Sequence, residues 1–327
     1  MAEPSARLSA RESVLPNGDT GRALPVETAN PLNYYEAISE PAAMPRMTID
    51  ARLFAPRDAT TPLPVVIVVP GSLGVAPSHL RHAQTFVELG LAACVIDPFG
   101  RRGVTSTVAN QAQYSFAASA YDVLATVRTL AALPEIDSTR IGAQGHSRGG
   151  SAVLTAAMRR FAGPVRGERP RLRAVYAAYP WCGHQFLDPD LGGTVVRSVI
   201  GDRDDWCSPQ AAQGHTQAMR LRGGDATIRI FAGAGHSFDR GTAIETIADA
   251  AVSPHSPITY IGSDGAMVHP VTGTADPKTV DYDTFVWGLK AGYGRRGAKI
   301  GSQGDDAALF RADMIEFWAT QMLEKPR

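Results

Sequence analysis

The segment GHSRG at residues 145–149 has the pattern G-x-S-x-G, in which a serine side chain can act as a nucleophile. A strand-like run, residues 140–144, precedes it, and an apolar run with helical character, residues 151–158, follows it. Small residues on both sides of the serine let such a strand and helix approach closely, so that the serine sits exposed on a strained turn. The pattern therefore predicts Ser147 as the nucleophile of an acyl-group reaction.

An activated serine also needs a base and an acid that orients the base. In α/β-hydrolases the acid and then the histidine follow the serine along the chain. His236 lies in GAGHSFD at 233–239, after the strand-like run 227–231, and is the predicted base. The predicted acid comes from GDRDDW at 201–206, with Asp204 preferred, Asp205 as the alternative, and Asp202 as a third candidate.

The reaction also needs two N–H groups that stabilise the oxyanion. The first is expected from the backbone of Arg148, the residue after the nucleophile. The second is expected from Ser72, in the glycine-containing turn PGSLG at 70–74. Because the chain has no C-x-x-C motif and no Cys/His cluster, no metal site and no cofactor are predicted.

Seven segments in order resemble the dienelactone hydrolase family of α/β-hydrolases. They are 68–74, 97–104, 136–142, 145–150, 179–182, 201–206 and 233–238. The resemblance implies hydrolysis of carboxylic esters or lactones, and it favours Asp204, because the family's acid falls three residues after a glycine that matches Gly201. The enzyme that names the family has a cysteine nucleophile and a glutamate near the position of Gly71. This chain has Ser147 and no such glutamate, which is the ordinary esterase arrangement.

The resemblance also implies residues that bind the substrate. The family's name-giving enzyme holds its substrate's carboxylate with two arginines, whose positions match Arg101 and Arg240. A guanidinium can bind a carboxylate through two parallel hydrogen bonds. The alternatives are that these arginines form structural ion pairs, or that the neighbouring Arg102 takes the role of Arg101. Trp181, in the matched segment 179–182, is the third expected substrate contact.

Strand-like and helix-like runs alternate along the chain, which predicts an α/β fold with a mostly parallel sheet covered by helices on both faces. The predicted strands are 47–54 (at an edge), 63–69, 92–96, 140–144, 173–179, 194–200 and 227–231; the predicted helices are 79–89, 117–132, 151–158 and 307–322. The apolar stripe of the last helix is expected at Leu309, Ala312, Ile315, Phe317 and Met322.

The chain is expected to have a flexible tail at residues 1–25 and one α/β-hydrolase domain at 26–327. An insertion at about 241–302 interrupts the alternation and contains a predicted hairpin at 258–268. It begins just after His236 and carries several large side chains: Tyr260, Met267, His269, Tyr282, Phe285, Trp287 and Tyr293. We interpret it as a lid over the site, with a surface excursion or a homodimer contact as the alternatives.

Composition excludes several classes of partner. The 32 basic and 32 acidic side chains give no net charge, so nucleic acid and anionic membranes are not expected partners. Three cysteines are too few for a disulfide scaffold, and residues 1–30 lack the continuous apolar run of a signal peptide, so a cytoplasmic location is expected. Cys182 and Cys207 each follow a predicted strand and are expected to lie near each other. Two rival functions remain open: an acyltransferase with the same triad, and a non-catalytic binding protein.

Overall fold

The computed structural model describes residues 13–59, 61–166 and 171–323. Its main sheet has eight strands, in the spatial order β1-β2-β4-β3-β5-β6-β8-β9. These strands are β1 (Arg22–Ala29), β2 (Arg46–Phe54), β3 (Leu63–Val69), β4 (Ala92–Asp97), β5 (Ile136–His146), β6 (Ala174–Ala178), β8 (Val195–Gly201) and β9 (Ala226–Phe231). From β4 to β9 all neighbours pair in parallel, whereas β2 is antiparallel to both β1 and β4.

The central strands are buried because helices cover both faces of the sheet. The helices are α1 (Tyr34–Ser39), α2 (Pro77–Glu88), α3 (Phe116–Ala131), α4 (Arg148–Ala157), α5 (Arg159–Arg166), α6 (Pro209–Leu221), α7 (Asp281–Lys290) and α8 (Asp306–Met322). α3 and α4 pack together on one face, and α2 meets α8 on the other through Phe86 and Trp318. The continuous apolar run of β3 fits this two-sided burial, as the sequence predicted.

The N-terminal segment is more ordered than the sequence suggested. Residues 22–25, assigned to a flexible tail, belong to β1, which pairs with β2 along its whole length. β2 is therefore not an edge strand. β1 was not recognised as a strand because only Leu24, Val26 and Thr28 are buried on one face, while Ala23, Pro25 and Glu27 on the other face are exposed. Residues 1–12 of the predicted tail lie outside the described residues.

The insertion forms a structured layer of its own. It contains β10 (Glu245–Val252), β11 (Thr259–Ile261), β12 (Met267–Val268), β13 (Ala275–Asp276), α7 and β14 (Arg295–Ile300). β11 and β12 form the predicted hairpin, and β11 also pairs in parallel with β7 (His184–Phe186) of the main body. β10 pairs with β14. The insertion is thus fastened to the body by backbone hydrogen bonds.

The closing helix α8 was predicted at nearly its observed bounds, but its buried face was predicted only in part: Met322 is buried and Ile315 and Phe317 pack against the core, whereas Leu309 and Ala312 are exposed. The buried side chains are Phe310, Asp313, Met314, Trp318 and Met322, whereas Leu309 is half exposed. Asp313 accepts hydrogen bonds from Tyr176, Arg197 and Arg229. Because the carboxylate of Asp313 lies on this face, the buried residues of α8 do not form a continuous apolar stripe in the sequence. Within the described residues, no helix is long and apolar enough to cross a membrane.

Candidate active site

Ser147 lies on a sharp turn between the end of β5 and the start of α4. Its backbone has φ 55° and ψ −116°, a conformation that costs free energy for a residue with a side chain. A Cβ atom on Gly145 would lie 2.0 Å from the carbonyl oxygen of Gly149, and one on Gly149 would lie 2.4 Å from that of Val69. The two glycines of the motif therefore allow the close backbone contacts that hold this turn.

The structure brings Ser147, His236 and Asp204 together in one hydrogen-bonded row. The Nε2 atom of His236 lies 3.0 Å from Ser147 Oγ, and its Nδ1 atom lies 2.8 Å from Asp204 Oδ2. All three residues are less than a tenth exposed. If Nδ1–H donates to Asp204, then Nε2 presents a lone pair to the serine hydroxyl. This is the geometry that a serine nucleophile and its base require.

Backbone and aromatic contacts fix the acid and the base. The other carboxylate oxygen of Asp204 accepts hydrogen bonds from the N–H groups of Trp206 and Cys207, at 2.9 and 2.8 Å. The Trp206 ring stacks on the His236 ring with centroids 5.0 Å apart. Sequence reasoning placed Trp206 in the acid segment but did not assign it this contact, because ring stacking depends on the folded positions of two loops.

The other two aspartates of the acid turn have different partners. Asp202 Oδ1 accepts a hydrogen bond from the N–H of Gly233, in the loop before His236. Asp205 Oδ1 accepts one from the N–H of Lys299 on β14. The same strand end reaches the base, since the N–H of Gly301 donates to the carbonyl oxygen of His236. The insertion therefore contacts both the acid turn and the base loop.

The two residues proposed for the oxyanion hole lie beside the nucleophile. Ser72 follows β3, and Arg148 is the first residue of α4; both line the same cavity as Ser147. The Arg148 side chain is buried and donates to the carbonyl oxygens of Gln111 and Tyr114 and to Ser119 Oγ. The side chain thus holds the segment before α3, and its backbone N–H lies at the N-terminus of α4, where the helix dipole favours negative charge.

A cavity of about 680 Å³ opens at Ser147. Trp181, a predicted substrate contact, lines it together with Phe116 and Cys182. Much of the remaining wall comes from the insertion, through residues 251–254, 256–259, 282, 284–289 and 294–296. Of the large insertion side chains named from the sequence, Tyr282, Phe285 and Trp287 line the cavity. The insertion thus forms part of the wall of the cavity that opens at Ser147.

Comparisons with known proteins agree with this architecture. The sequence profile described as the dienelactone hydrolase family matches residues 49–256, which is well over half of the chain. The chain belongs to the dienelactone hydrolase family. Membership in this α/β-hydrolase family makes it an enzyme that hydrolyses carboxylic esters. A comparison with curated proteins gave no match.

Two solved structures show the same fold as this dienelactone hydrolase family member. One is a dienelactone hydrolase-like promiscuous phosphotriesterase from metagenomic libraries, with 14% identity, a TM-score of 0.53, and coverage of 92% of this chain and 100% of that one. The other, m3DLH, has 19% identity, a TM-score of 0.52, and coverage of 83% and 96%. At these identities the likeness establishes the α/β-hydrolase fold.

The two arginines transferred from the dienelactone hydrolase family differ in position. Arg240 lines a small cleft with Ser147 and His236. Arg101 lines neither the cleft nor the large cavity among the described residues; its guanidinium binds Asp50 on β2, with Nε 3.1 Å from Oδ2. The neighbouring Arg102 is buried against Asp122. The structure therefore does not bring Arg101 to the site, because Asp50 of β2 holds its guanidinium outside both spaces.

Cys182 and Cys207 are both buried free thiols that line the large cavity. Burial raises the pKa of Cys182 to about 12. Burial, and then the charges of Asp204 and Cys182, raise the pKa of Cys207 well above its usual value. The two thiols line the same cavity, and their proximity remains a prediction. Because a thiolate is the reactive form of cysteine, the raised pKa keeps Cys207 a poor nucleophile beside Ser147.

A second buried histidine–aspartate pair supports the base loop. His82 Nε2 lies 2.8 Å from Asp239 Oδ2, and the Tyr179 hydroxyl donates to Asp239 Oδ1 at 2.7 Å. Burial alone would raise the pKa of Asp239, but the hydrogen bond and charge of His82 outweigh it and hold that pKa well below its usual range. The Tyr179 ring contacts the His236 ring edge-on, with centroids 4.8 Å apart. The pair therefore anchors the loop that carries the base.

Two groups of side chains have the residue types of a metal site. They are His82, His146 and Asp239, and Asp204, Cys207 and His236; in each group the ligand atoms lie within 4.8 Å of one another. Each contains a histidine–carboxylate hydrogen bond of 2.8 Å, so a metal ion would have to displace that bond. These contacts fit hydrogen-bond networks better than metal coordination.

Proposed function

We propose that this chain hydrolyses carboxylic esters or lactones through an acyl-enzyme formed on Ser147. The observation that carries the proposal is the pair of hydrogen bonds on one imidazole, 3.0 Å to Ser147 Oγ and 2.8 Å to Asp204 Oδ2. It is the arrangement in which a neutral histidine removes a serine proton and an aspartate stabilises the resulting imidazolium. The family assignment independently supports an ester as the substrate.

The reaction needs two proton transfers through His236. Ser147 Oγ attacks the ester carbonyl carbon while its proton passes to His236 Nε2. The tetrahedral intermediate then collapses, the C–O bond to the alcohol breaks, and His236 returns the proton to the leaving oxygen. In the second half, water attacks the acyl-enzyme and gives its proton to His236, which protonates Ser147 Oγ as the carboxylic acid leaves. A lactone follows the same steps and gives a hydroxy acid.

The oxyanion that forms in each half needs donors that are already in place. The backbone N–H groups of Ser72 and Arg148 are proposed for this role, as the two residues flank Ser147 in the cavity wall. Two features support it: the position of Arg148 at the first turn of α4, and the hydrogen bonds that order the Ser72 turn. The Ser72 carbonyl oxygen accepts the N–H of Thr107, and its hydroxyl donates to Gln111 Oε1 at 3.0 Å.

A carboxylate on the substrate is the finer part of the proposal. Arg240 remains its candidate partner, because it lines the cleft beside Ser147 and His236. Trp181 is the proposed apolar contact in the larger cavity. Arg101 has no part in this proposal, since its guanidinium is engaged with Asp50 away from both spaces.

The test compares the hydroxyl of Ser147 with the neighbouring thiol of Cys207 as the possible nucleophile. Ser147→Ala should lower kcat on a simple ester by a factor on the order of 10⁶, the usual cost of losing a triad nucleophile. Cys207→Ala is the matched control and should retain most of the activity, because burial keeps its thiol protonated. Circular dichroism would verify the fold of both variants. Loss of activity in Cys207→Ala, with Ser147→Ala still active, would overturn the proposal.

A further inference from the structure

The cavity at Ser147 is far larger than a small ester needs. Its volume of about 680 Å³ falls in the range of sites for drug-sized ligands, about 300–1,000 Å³. Six aromatic side chains line it: Phe116, Trp181, Trp206, Tyr282, Phe285 and Trp287. Aromatic rings favour one another edge-on or offset, with centroids 4.5–7 Å apart. The wall is therefore suited to a flat apolar group of the substrate.

The part of the cavity wall that the insertion contributes is bound to the main body by specific contacts. Asp281, the first residue of α7, accepts a hydrogen bond from the N–H of Phe116 at 2.7 Å. The Phe285 ring, one turn later, lies 6.1 Å from Phe116 and 5.7 Å from Trp181. Phe116 and Trp181 are themselves 4.6 Å apart. The three rings form one apolar corner, built jointly by the body and the insertion.

The side of the ester that enters this cavity follows from the position of the base. His236 must reach the oxygen of the departing alcohol, so the alcohol part lies next to its ring. His236 lines the small cleft of about 30 Å³, together with Arg240 and Ser237. Ser147, Ser72 and Trp206 line both spaces, whereas Arg148 lines only the large cavity and His236 only the cleft. The acyl part of the ester therefore faces the large, aromatic cavity.

We propose that the substrate is an ester with a bulky aromatic acyl group and a small alcohol, and that Phe285 and Trp287 of α7 select that acyl group. The inference rests on the proposed acyl-enzyme function and adds the substrate class. Phe285 and Trp287 are partly exposed side chains whose free surface lines the cavity. Covering that surface with an aromatic acyl group removes apolar area from water on both partners, which favours binding.

Two isomeric esters test the orientation directly. Ethyl 2-naphthylacetate carries the ring on its acyl part, and 2-(2-naphthyl)ethyl acetate carries it on its alcohol part; released acid is titrated in both cases. The first isomer should have a kcat/KM at least about ten-fold higher, because burying the naphthyl group in the pocket instead of leaving it in water changes the binding constant by about that factor or more. Equal values, or a preference for the second isomer, would overturn the proposal.

Variants of α7 test the residues. Phe285→Ala and Trp287→Ala should each lower kcat/KM for ethyl 2-naphthylacetate about ten-fold or more and leave that for ethyl acetate within about two-fold. Tyr260→Ala is the matched control; this insertion tyrosine is 41% exposed on β11 and does not line the cavity, so both substrates should be unaffected. Equal losses on both esters in the α7 variants would show that the two residues do not select the acyl group.

The same experiment separates this inference from the function on which it rests. Hydrolysis of ethyl acetate that depends on Ser147, without preference for the naphthyl acyl group, would refute the aromatic pocket alone. If the folded wild-type protein hydrolysed none of the three esters, the acyl-enzyme proposal itself would be contradicted.

Discussion

The carboxylates of the adjacent residues Asp204 and Asp205 have separate partners. Asp204 Oδ2 lies 2.8 Å from His236 Nδ1, whereas Asp205 Oδ1 accepts the N–H of Lys299, 3.1 Å away on β14. The Arg295 guanidinium also donates to the carbonyl oxygen of Asp205. The acid turn thus orients His236 through Asp204 and binds the insertion through the adjacent Asp205.

This separation predicts how the aspartates differ on substitution. Asp204→Asn should lower kcat by a factor on the order of 10⁴, because an amide cannot hold the histidine in the productive tautomer. Asp202→Asn and Asp205→Asn should cost far less, as each amide still offers an oxygen to the backbone N–H that the carboxylate now binds. Steady-state kinetics on one ester would compare the three. A larger loss of kcat in Asp205→Asn than in Asp204→Asn would show that Asp205, not Asp204, is the acid of the triad.

The arginines give a second matched pair. Arg240→Met should raise KM for esters with a carboxylate on the alcohol part about ten-fold or more and leave KM for neutral esters unchanged, since one charged hydrogen bond contributes about 1.5–3 kcal/mol. Arg101→Met should change neither, because Arg101 binds Asp50 outside the site. Equal KM changes for charged and neutral esters in Arg240→Met would indicate a structural role.

Asp281 predicts a pH dependence of stability. Burial raises its pKa to about 6, against an ordinary value of about 4, so the folded state binds the proton more tightly than the unfolded state. Its contribution to the free energy of unfolding is therefore highest below about pH 4 and is lost as the pH rises through about 6. Asp281→Asn keeps an acceptor for the Phe116 N–H but cannot ionise, so it should remove the fall in the free energy of unfolding that ionisation of Asp281 causes between about pH 4 and pH 6.

The expected gain is up to about 3 kcal/mol at pH 8, from a pKa difference of about two units at 1.36 kcal/mol each. Urea denaturation of both proteins at pH 4 and pH 8 would measure it. The gain should be largest at pH 8 and nearly absent at pH 4. A gain independent of pH, or a loss at pH 8, would contradict this assignment.

Local patterns in the sequence were sufficient to predict much of the fold. Buried strands such as β3 are continuous apolar runs, and the strained turn at Ser147 follows from glycines on either side. β1 was missed because it contains Pro25 and because its apolar residues alternate with exposed ones, a pattern also typical of exposed chain. The buried face of α8 was predicted only in part because Asp313 occupies it, and the three hydrogen-bond donors to Asp313 come from strands β6, β8 and β9.

The candidate site shows the same division. The order of serine, acid and histidine predicted Ser147, His236 and the acid turn 201–206, and the family resemblance favoured Asp204 within that turn; the structure brings Ser147, Asp204 and His236 within hydrogen-bonding distance. The family resemblance matched Arg101 to a substrate-binding arginine but did not predict its ion pair with Asp50, because Asp50 belongs to β2, which is distant in sequence. The contribution of α7 to the cavity wall likewise depends on a contact between Asp281 and Phe116, which are 165 residues apart.

The role of Ser147 as nucleophile is tested most directly by identifying the residue that a fluorophosphonate modifies. Folded protein is treated with a fluorophosphonate, and the modified peptide is identified by mass spectrometry. One adduct is expected on Ser147, strongly reduced in His236→Ala and absent after unfolding, because the serine is reactive only beside its base. An adduct on Cys207 or another residue, or a folded protein that is not labelled, would contradict this role of Ser147.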